Sequence, residues 1–292
     1  MDIFLQLVIN SLIAGAIYSL IACGFSLIYS TNKFIHFAHG GVIVASSYIF
    51  YFLFSLLHLE FYLSCILAVI LAGLVGYLIN LIIYEPFRKR KASNSILLIA
   101  SLGVLILLES FMLIIFGANV QTIDYIDNVQ GLSFYGAIIT PLQIVIIISS
   151  IILFVFFYLF MKKTRIGKAM RAVSDNVEVA EIVGISASRI YSWSFVIGSM
   201  VAGVAAILIS LEQNIEPSMG TGLMIKGFTA AVIGGLGSVP GAILGAFLLG
   251  FAENFGIWYL PSGYKDAIAF VLLFLFLLFR PNGILGIKYN TK

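Results

Sequence analysis

The chain has 292 residues, 61% of them hydrophobic and only 10% charged, with a formal net charge of +3 and a mean hydropathy of +1.11. So much apolar surface cannot be hidden in one globular core, which excludes an ordinary soluble domain and describes an all-α, polytopic membrane protein in contact with the lipid bilayer. The basic residues gather beside apolar spans, so they report orientation in a membrane and argue against nucleic acid as a partner.

A helix needs about 20 apolar residues to cross roughly 30 Å of hydrocarbon. Residues 3–29 supply the first span, broken only by small polar side chains such as Asn10, Ser11, Ser19 and Ser26. An amide inside a membrane helix bonds a neighbour or lines a solute path, which makes Asn10 a candidate for the latter. Cys23 and Cys65 both lie in apolar runs, where cysteine acts as a small buried hydrophobe, so neither a disulfide nor a metal ligand is expected. Leu20-Ile21-Ala22-Cys23 has the look of a lipoprotein cleavage box, but no Lys or Arg precedes it, and the segment reads as a retained transmembrane helix.

The connection STNKFIHFAHGG (30–41) leads into an apolar run from Val42 to Leu57. His36 and His39 are three apart with no carboxylate or cysteine beside them, which suits hydrogen bonding at a helix entry better than metal binding. A third span, 61–84, is expected to stop at Glu85-Pro86, before Arg88-Lys89-Arg90-Lys91, four consecutive positive charges that mark the cytoplasmic side. The fourth, 96–116, carries Glu109, an intramembrane carboxylate and so a functional candidate. The loop 117–140 holds Asp124 and Asp127 but no Lys or Arg, which places it outside. Thr140-Pro141 has the form of a helix start, a capping hydroxyl followed by proline in the first turn.

The fifth span, 141–161, runs into KKTRIGKAMRAVSDNVEVAEIVGISASR (162–189), the one long polar run. Its pattern is a short amphipathic helix outside the bilayer. A sixth span, 191–211, carries Gly198, Ala202 and Gly203, small residues that let helices approach closely. Between 217 and 258 glycine and proline cut the chain in two. A piece of about 12 residues, Leu223–Gly234, is too short to cross alone, so a broken or re-entrant segment is expected, its backbone buried or facing a wet cavity. In the second piece, from Pro240, Gly241 and Gly245 share one face for close packing. The last span, 266–279, ends at Arg280-Pro281, and Arg280, Lys288 and Lys292 place the C-terminus inside. Eight or nine crossings follow, with the N-terminus outside. A loose echo joins 3–29 and 40–57 to 191–211 and 227–258, the kind of internal repeat from which transporters build paths.

Gly234-Gly235-Leu236-Gly237-Ser238 lacks the lysine of a phosphate loop, and no serine elbow or HExxH zinc pair occurs, so no cofactor, metal or catalytic group is expected. A solute pump of this composition must draw on an ion gradient, through Glu109, Lys226 or Glu253, or on a separate ATPase. The choice is decided by FAHGG (37–41), TRIGKAMRAVSDNVEVAEIVGI (164–185), FVIGSMVAGVAAIL (195–208) and FTAAVIGGLGSVPGAILGAFLLGFAE (228–253). These blocks resemble the permease subunits of branched-chain amino acid importers, the LivH type, whereas 58–160 adds little. The resemblance implies one transmembrane permease domain over 1–292, with 162–189 as its cytoplasmic coupling loop. It also implies a second homologous permease, two cytoplasmic ATPases and an extracytoplasmic binding protein, in the inner membrane of a bacterium. Ala180, Glu181 and Gly184 would then meet the ATPase, supported by Arg171. Asn10, Glu109, Gly234, Gly235 and Gly237 are expected along the path from polarity and irregular backbone alone. Urea and short-chain amide importers share this permease type and remain an alternative, as does an ion-coupled carrier or channel using Glu109.

Overall fold

The apolar runs fold as helices in a computed structural model that describes residues 2–123, 125, 131–134 and 136–286. In chain order they are α1 (Asp2–Asn32), α2 (Ala38–Tyr51), α3 (Phe61–Ile79), α4 (Glu85–Lys89), α5 (Asn94–Phe116), α6 (Pro141–Lys163), α7 (Arg165–Asp175), α8 (Val177–Ile182), α9 (Ala187–Glu212), α10 (Met219–Gly234), α11 (Val239–Gly256) and α12 (Lys265–Phe279). Among the described residues eight helical stretches are long and apolar enough to cross a membrane, and Met219–Gly234 is a shorter apolar helix. Asp127, Lys288 and Lys292 lie outside the described residues, as does Asp124.

Several hydroxyls inside these helices are satisfied locally by a carbonyl one turn back. Ser11 donates to Leu7 O at 2.6 Å, Ser19 to Ala16 O at 2.7 Å and Ser30 to Leu27 O at 2.8 Å. Large apolar side chains such as Ile99, Ile114, Phe156 and Phe274 stay exposed, a surface suited to lipid and not to water.

Two expectations change, and one small element is added to the all-α fold. The third span does not stop at Pro86. Its turn Asn80–Tyr84 is a π-turn, in which the Glu85 N–H bonds Asn80 O, so the helix passes the missing proline N–H and continues to Lys89 as α4. The segment Leu223–Gly234 begins earlier, at Met219, and reaches 16 residues, about 24 Å at 1.5 Å per residue and still short of a full crossing. The all-α reading also gains a small hairpin, β1 (Leu132–Phe134) antiparallel to β2 (Ala137–Ile139), with Ser133 opposite Ile138. Thr140 does cap α6. Its Oγ accepts from Gln143 N at 3.2 Å while Gln143 Oε1 accepts from Thr140 N at 3.0 Å, a reciprocal capping box.

The chain divides into two compact units. One comprises 1–26, 124–151 and 222–292. Here the turn 235–238 folds α11 back on α10, and glycine makes the approach possible: a Cβ at Gly245 would lie 2.7 Å from Gly234 N, and one at Gly250 2.8 Å from Gly15 N. Ser238 caps α11 by accepting from Gly241 N at 3.2 Å. Gln6 grips the hairpin with both ends of its amide, accepting from Ile138 N at 2.8 Å and donating to Ile138 O at 3.1 Å.

The other unit comprises 27–123 and 152–221. Its centre is the packing of α9 on α3 and α2. A Cβ at Gly203 would lie 2.7 Å from Ala72 Cβ, and one at Gly76 2.8 Å from Phe195 O. The FAHGG block has the same purpose, since a Cβ at Gly41 would meet Leu108, and a Cβ at Gly220 would lie 2.7 Å from Gly40 O. Replacing Gly76 by Leu should lower stability by about 1–3 kcal/mol through overpacking, read as a drop in the unfolding temperature of the detergent-solubilised protein.

Candidate functional site

The polar run between the fifth and sixth spans folds as two short helices set at a corner. Gly167 lets α7 turn closely off the end of the fifth span, because a Cβ there would be 2.6 Å from Met161 Cα. Thr164 caps α7, its hydroxyl accepting from Gly167 N at 3.0 Å, and the buried residues Gly167, Met170 and Val173 recur at helical spacing along one face. Asn176 ends α7 and caps α8, its side chain accepting from Val179 N at 3.1 Å. The exit is closed by a Schellman motif: Ile185 N donates to Ala180 O at 2.9 Å and Gly184 N to Glu181 O at 3.0 Å, with Gly184 at φ +86°.

Of the four residues expected here, Arg171, Glu181 and Gly184 are exposed. Ala180 is 2% exposed and seats α8 on the protein. The apolar side chains exposed on α8 and its C-cap are Val179 (55% exposed), Ile182 (83%) and Val183 (68%), beside the exposed Glu178 and Glu181. The sequence signal for them was the amphipathic run itself, which shows that apolar residues alternate with polar ones but not which way each points.

The polar residues expected along a path are occupied by contacts within the protein. Glu109 accepts from Thr221 N at 2.8 Å and from Thr221 Oγ at 3.0 Å. It thereby satisfies a free N–H in the first turn of α10 and places negative charge at the helix's positive end. Asn10 accepts from Gln6 Nε2 at 3.0 Å, supporting the amide that holds the hairpin. Gly234, Gly235 and Gly237 form the α10–α11 turn, with Gly235 at φ +109° and Gly237 at φ +84°. The C-terminal residues close on this turn, Ile284 N donating to Ile233 O and Leu285 N to Gly234 O, both at 2.9 Å. Lys226 lies between two carboxylates, 3.2 Å from Asp266 and 3.8 Å from the buried Glu253, and Tyr18 donates to Glu253 at 2.7 Å.

Arg88, read from sequence as a topological charge, turns inward. It donates to the Asn32 and Asn80 side-chain oxygens and stacks 4.6 Å above the Tyr191 ring, a cation–π contact. The same two asparagines donate to α9, Asn32 to Ser194 at 2.8 Å and Asn80 to Ser192 at 3.0 Å. The first turns of α9, directly after the polar hairpin, are thus bolted to the ends of α1 and α3. Beside this knot His36 Nδ1 lies 2.9 Å from the Tyr84 hydroxyl, the hydrogen-bonding role expected of it. Among the described residues no group of three His, Cys, Asp or Glu could hold a metal.

Among the described residues, eight membrane-length helices, a capped short helix and a polar hairpin between two spans define a multi-span integral membrane protein. The family described as branched-chain amino acid transport system / permease component matches residues 7–277. The chain is 36% identical to the high-affinity branched-chain amino acid transport system permease protein BraD of Pseudomonas aeruginosa and 34% identical to its counterpart LivH of Escherichia coli, in each case over 97% of this chain and 96% of the relative. Its fold is similar to that of a solved structure, PsaBC from Streptococcus pneumoniae in complex with Fab, at a TM-score of 0.53 and 14% identity over 97% of this chain and 93% of the other. The chain belongs to the branched-chain amino acid transport system permease family.

Glu109→Gln should keep one acceptor for Thr221 but lose the charge at the α10 terminus, lowering thermal stability by about 0.5–2 kcal/mol while leaving transport intact. Abolished transport at unchanged stability would instead assign Glu109 to the solute path or to ion coupling.

Proposed function

We propose that the chain is the permease subunit of an ATP-binding-cassette importer in the bacterial inner membrane. It passes branched-chain amino acids received from an extracytoplasmic binding protein. The proposed assembly contains a second homologous permease and two cytoplasmic ATPases that hydrolyse ATP, and both compact units of this chain serve as one permease domain. The N-terminus lies outside and the C-terminus inside. That requires an odd number of traversals, with α10 and its glycine turn carrying the chain across alongside the eight long helices.

The observation that carries the proposal is the α7–α8 hairpin, with its caps closed locally and Ile182 and Val183 left standing from its tip. Apolar side chains so exposed on a polar element are a docking surface. In this reading Ile182 and Val183 enter a cleft of the ATPase with Glu181 and Arg171 at the rim, and Ala180 and Gly184 hold the shape of the knob. Movement of the hairpin then acts directly on α9, and through Arg88 and its asparagines on α1 and α3. The capping role of Glu109 weighs against a carrier that uses this carboxylate for a coupling ion. Substrate class follows the names of the full-length relatives.

The test is reconstitution in liposomes with the partner subunits, measuring ATP hydrolysis and leucine uptake with liganded binding protein. The double substitution Ile182→Asp and Val183→Asp should weaken ATPase association by about 2 kcal/mol, roughly thirtyfold, and abolish stimulated hydrolysis while the chain still inserts. Solute uptake by this chain without any ATPase would overturn the proposal.

A further inference from the structure

A groove of about 220 Å³ lies where α7 meets the start of α9. Its rim carries Arg165 and Arg189, both exposed, and neither is in an ion pair among the described residues. Ser186 also lines it; this residue stands at the N-cap of α9, yet its side chain makes no capping bond and its hydroxyl is left for another acceptor. The floor is apolar, formed by Ile166, Ala169 and Ile190. Five basic residues and no acidic one fall between 162 and 171, so the surrounding potential is positive.

The last wall decides what fits. Trp193 lines the groove and is 44% exposed, four residues after Arg189 on the same face of a membrane-spanning helix. It stands one turn, about 6 Å, deeper along α9, and an exposed tryptophan at the end of a span belongs at the level of the headgroups. An acidic protein surface would satisfy the two arginines but leave the apolar floor and the indole without a use. An amphiphile uses both, because guanidinium groups bind phosphate oxygens in pairs while glycerol and the first methylenes lie on the apolar wall. The volume is that of about seven water molecules, room for a headgroup whose chains run on past Trp193 into the bilayer.

We propose that this groove binds the headgroup of an anionic phospholipid, its phosphate held by Arg165, Arg189 and the Ser186 hydroxyl and its glycerol resting against Trp193. A lipid seated there fastens α7 to the base of α9 and ties the polar hairpin to the inner leaflet.

The full-length chain in neutral detergent is titrated with phosphatidylglycerol or phosphatidylcholine, and bound lipid is measured by native mass spectrometry. Phosphatidylglycerol is expected to bind where phosphatidylcholine does not. Replacing both arginines by Gln should weaken it about 25-fold, and Arg189→Gln alone about fivefold. The double Lys substitution should keep most of the affinity, which separates loss of charge from loss of fold. Excess glycerol 3-phosphate or inorganic phosphate should leave the lipid bound, and displacement by either would make this a free-phosphate site and overturn the lipid assignment. Equal binding by the wild type and the Gln pair would overturn it too, as would loss of ATPase association with lipid binding unchanged. The lipid readout involves neither transport nor hydrolysis, so its failure leaves the importer reading standing.

Discussion

Every peptide group that enters hydrocarbon has to find its hydrogen bond within the protein, and α10 is where that constraint is hardest to meet. Both ends of this short helix are served by a distant part of the chain. At its start the carboxylate of Glu109 takes the Thr221 N–H, and at its end the amides of Ile284 and Leu285 take the carbonyls of Ile233 and Gly234. The glycines of FAHGG and of the α10–α11 turn follow from the same need, because partners reach a helix terminus only where backbones can close on one another. A residue with a side chain at Gly220, Gly234 or Gly245 would stand in the place of a carbonyl or an amide.

This division of labour explains what was legible in the sequence. Spans were readable because length and apolar run suffice, and the Thr140 cap was readable because a hydroxyl directly before Pro141 has the form of a helix start. The close-packing face of Gly241 and Gly245 came from spacing alone. By contrast, α10 starts four residues earlier than its apolar run suggests, because its cap is supplied from 112 residues upstream. Pro86 was read as a stop because proline lacks an N–H, and the π-turn that absorbs the defect leaves no pattern of its own. The β-hairpin escaped for a similar reason: three-residue strands are too short to show a period, and both backbone groups of Ile138 are served by the distant side chain of Gln6.

Glu109, Asn10 and the turn glycines drew attention because polar or irregular groups are costly in a membrane, and that cost is met here by specific contacts that build the fold. Arg88 was overlooked for the opposite reason, since it sits in a basic run and was counted as one charge among four. Its guanidinium is held by two neutral amides and an aromatic face, which joins three helices where a carboxylate would have joined two. In the polar hairpin, Ala180 is the member of its motif that faces inward, while Ile182, the most exposed of the outward apolar side chains, carries no mark in sequence beyond being hydrophobic.

The caps at Thr164, Asn176 and Gly184 are all made by residues of the hairpin itself. Its conformation is therefore settled before anything meets it, and little freedom remains to be lost on contact. A peg of this kind can be engaged and released repeatedly with modest affinity while its register stays fixed, because the entropy of ordering it was spent when the chain folded.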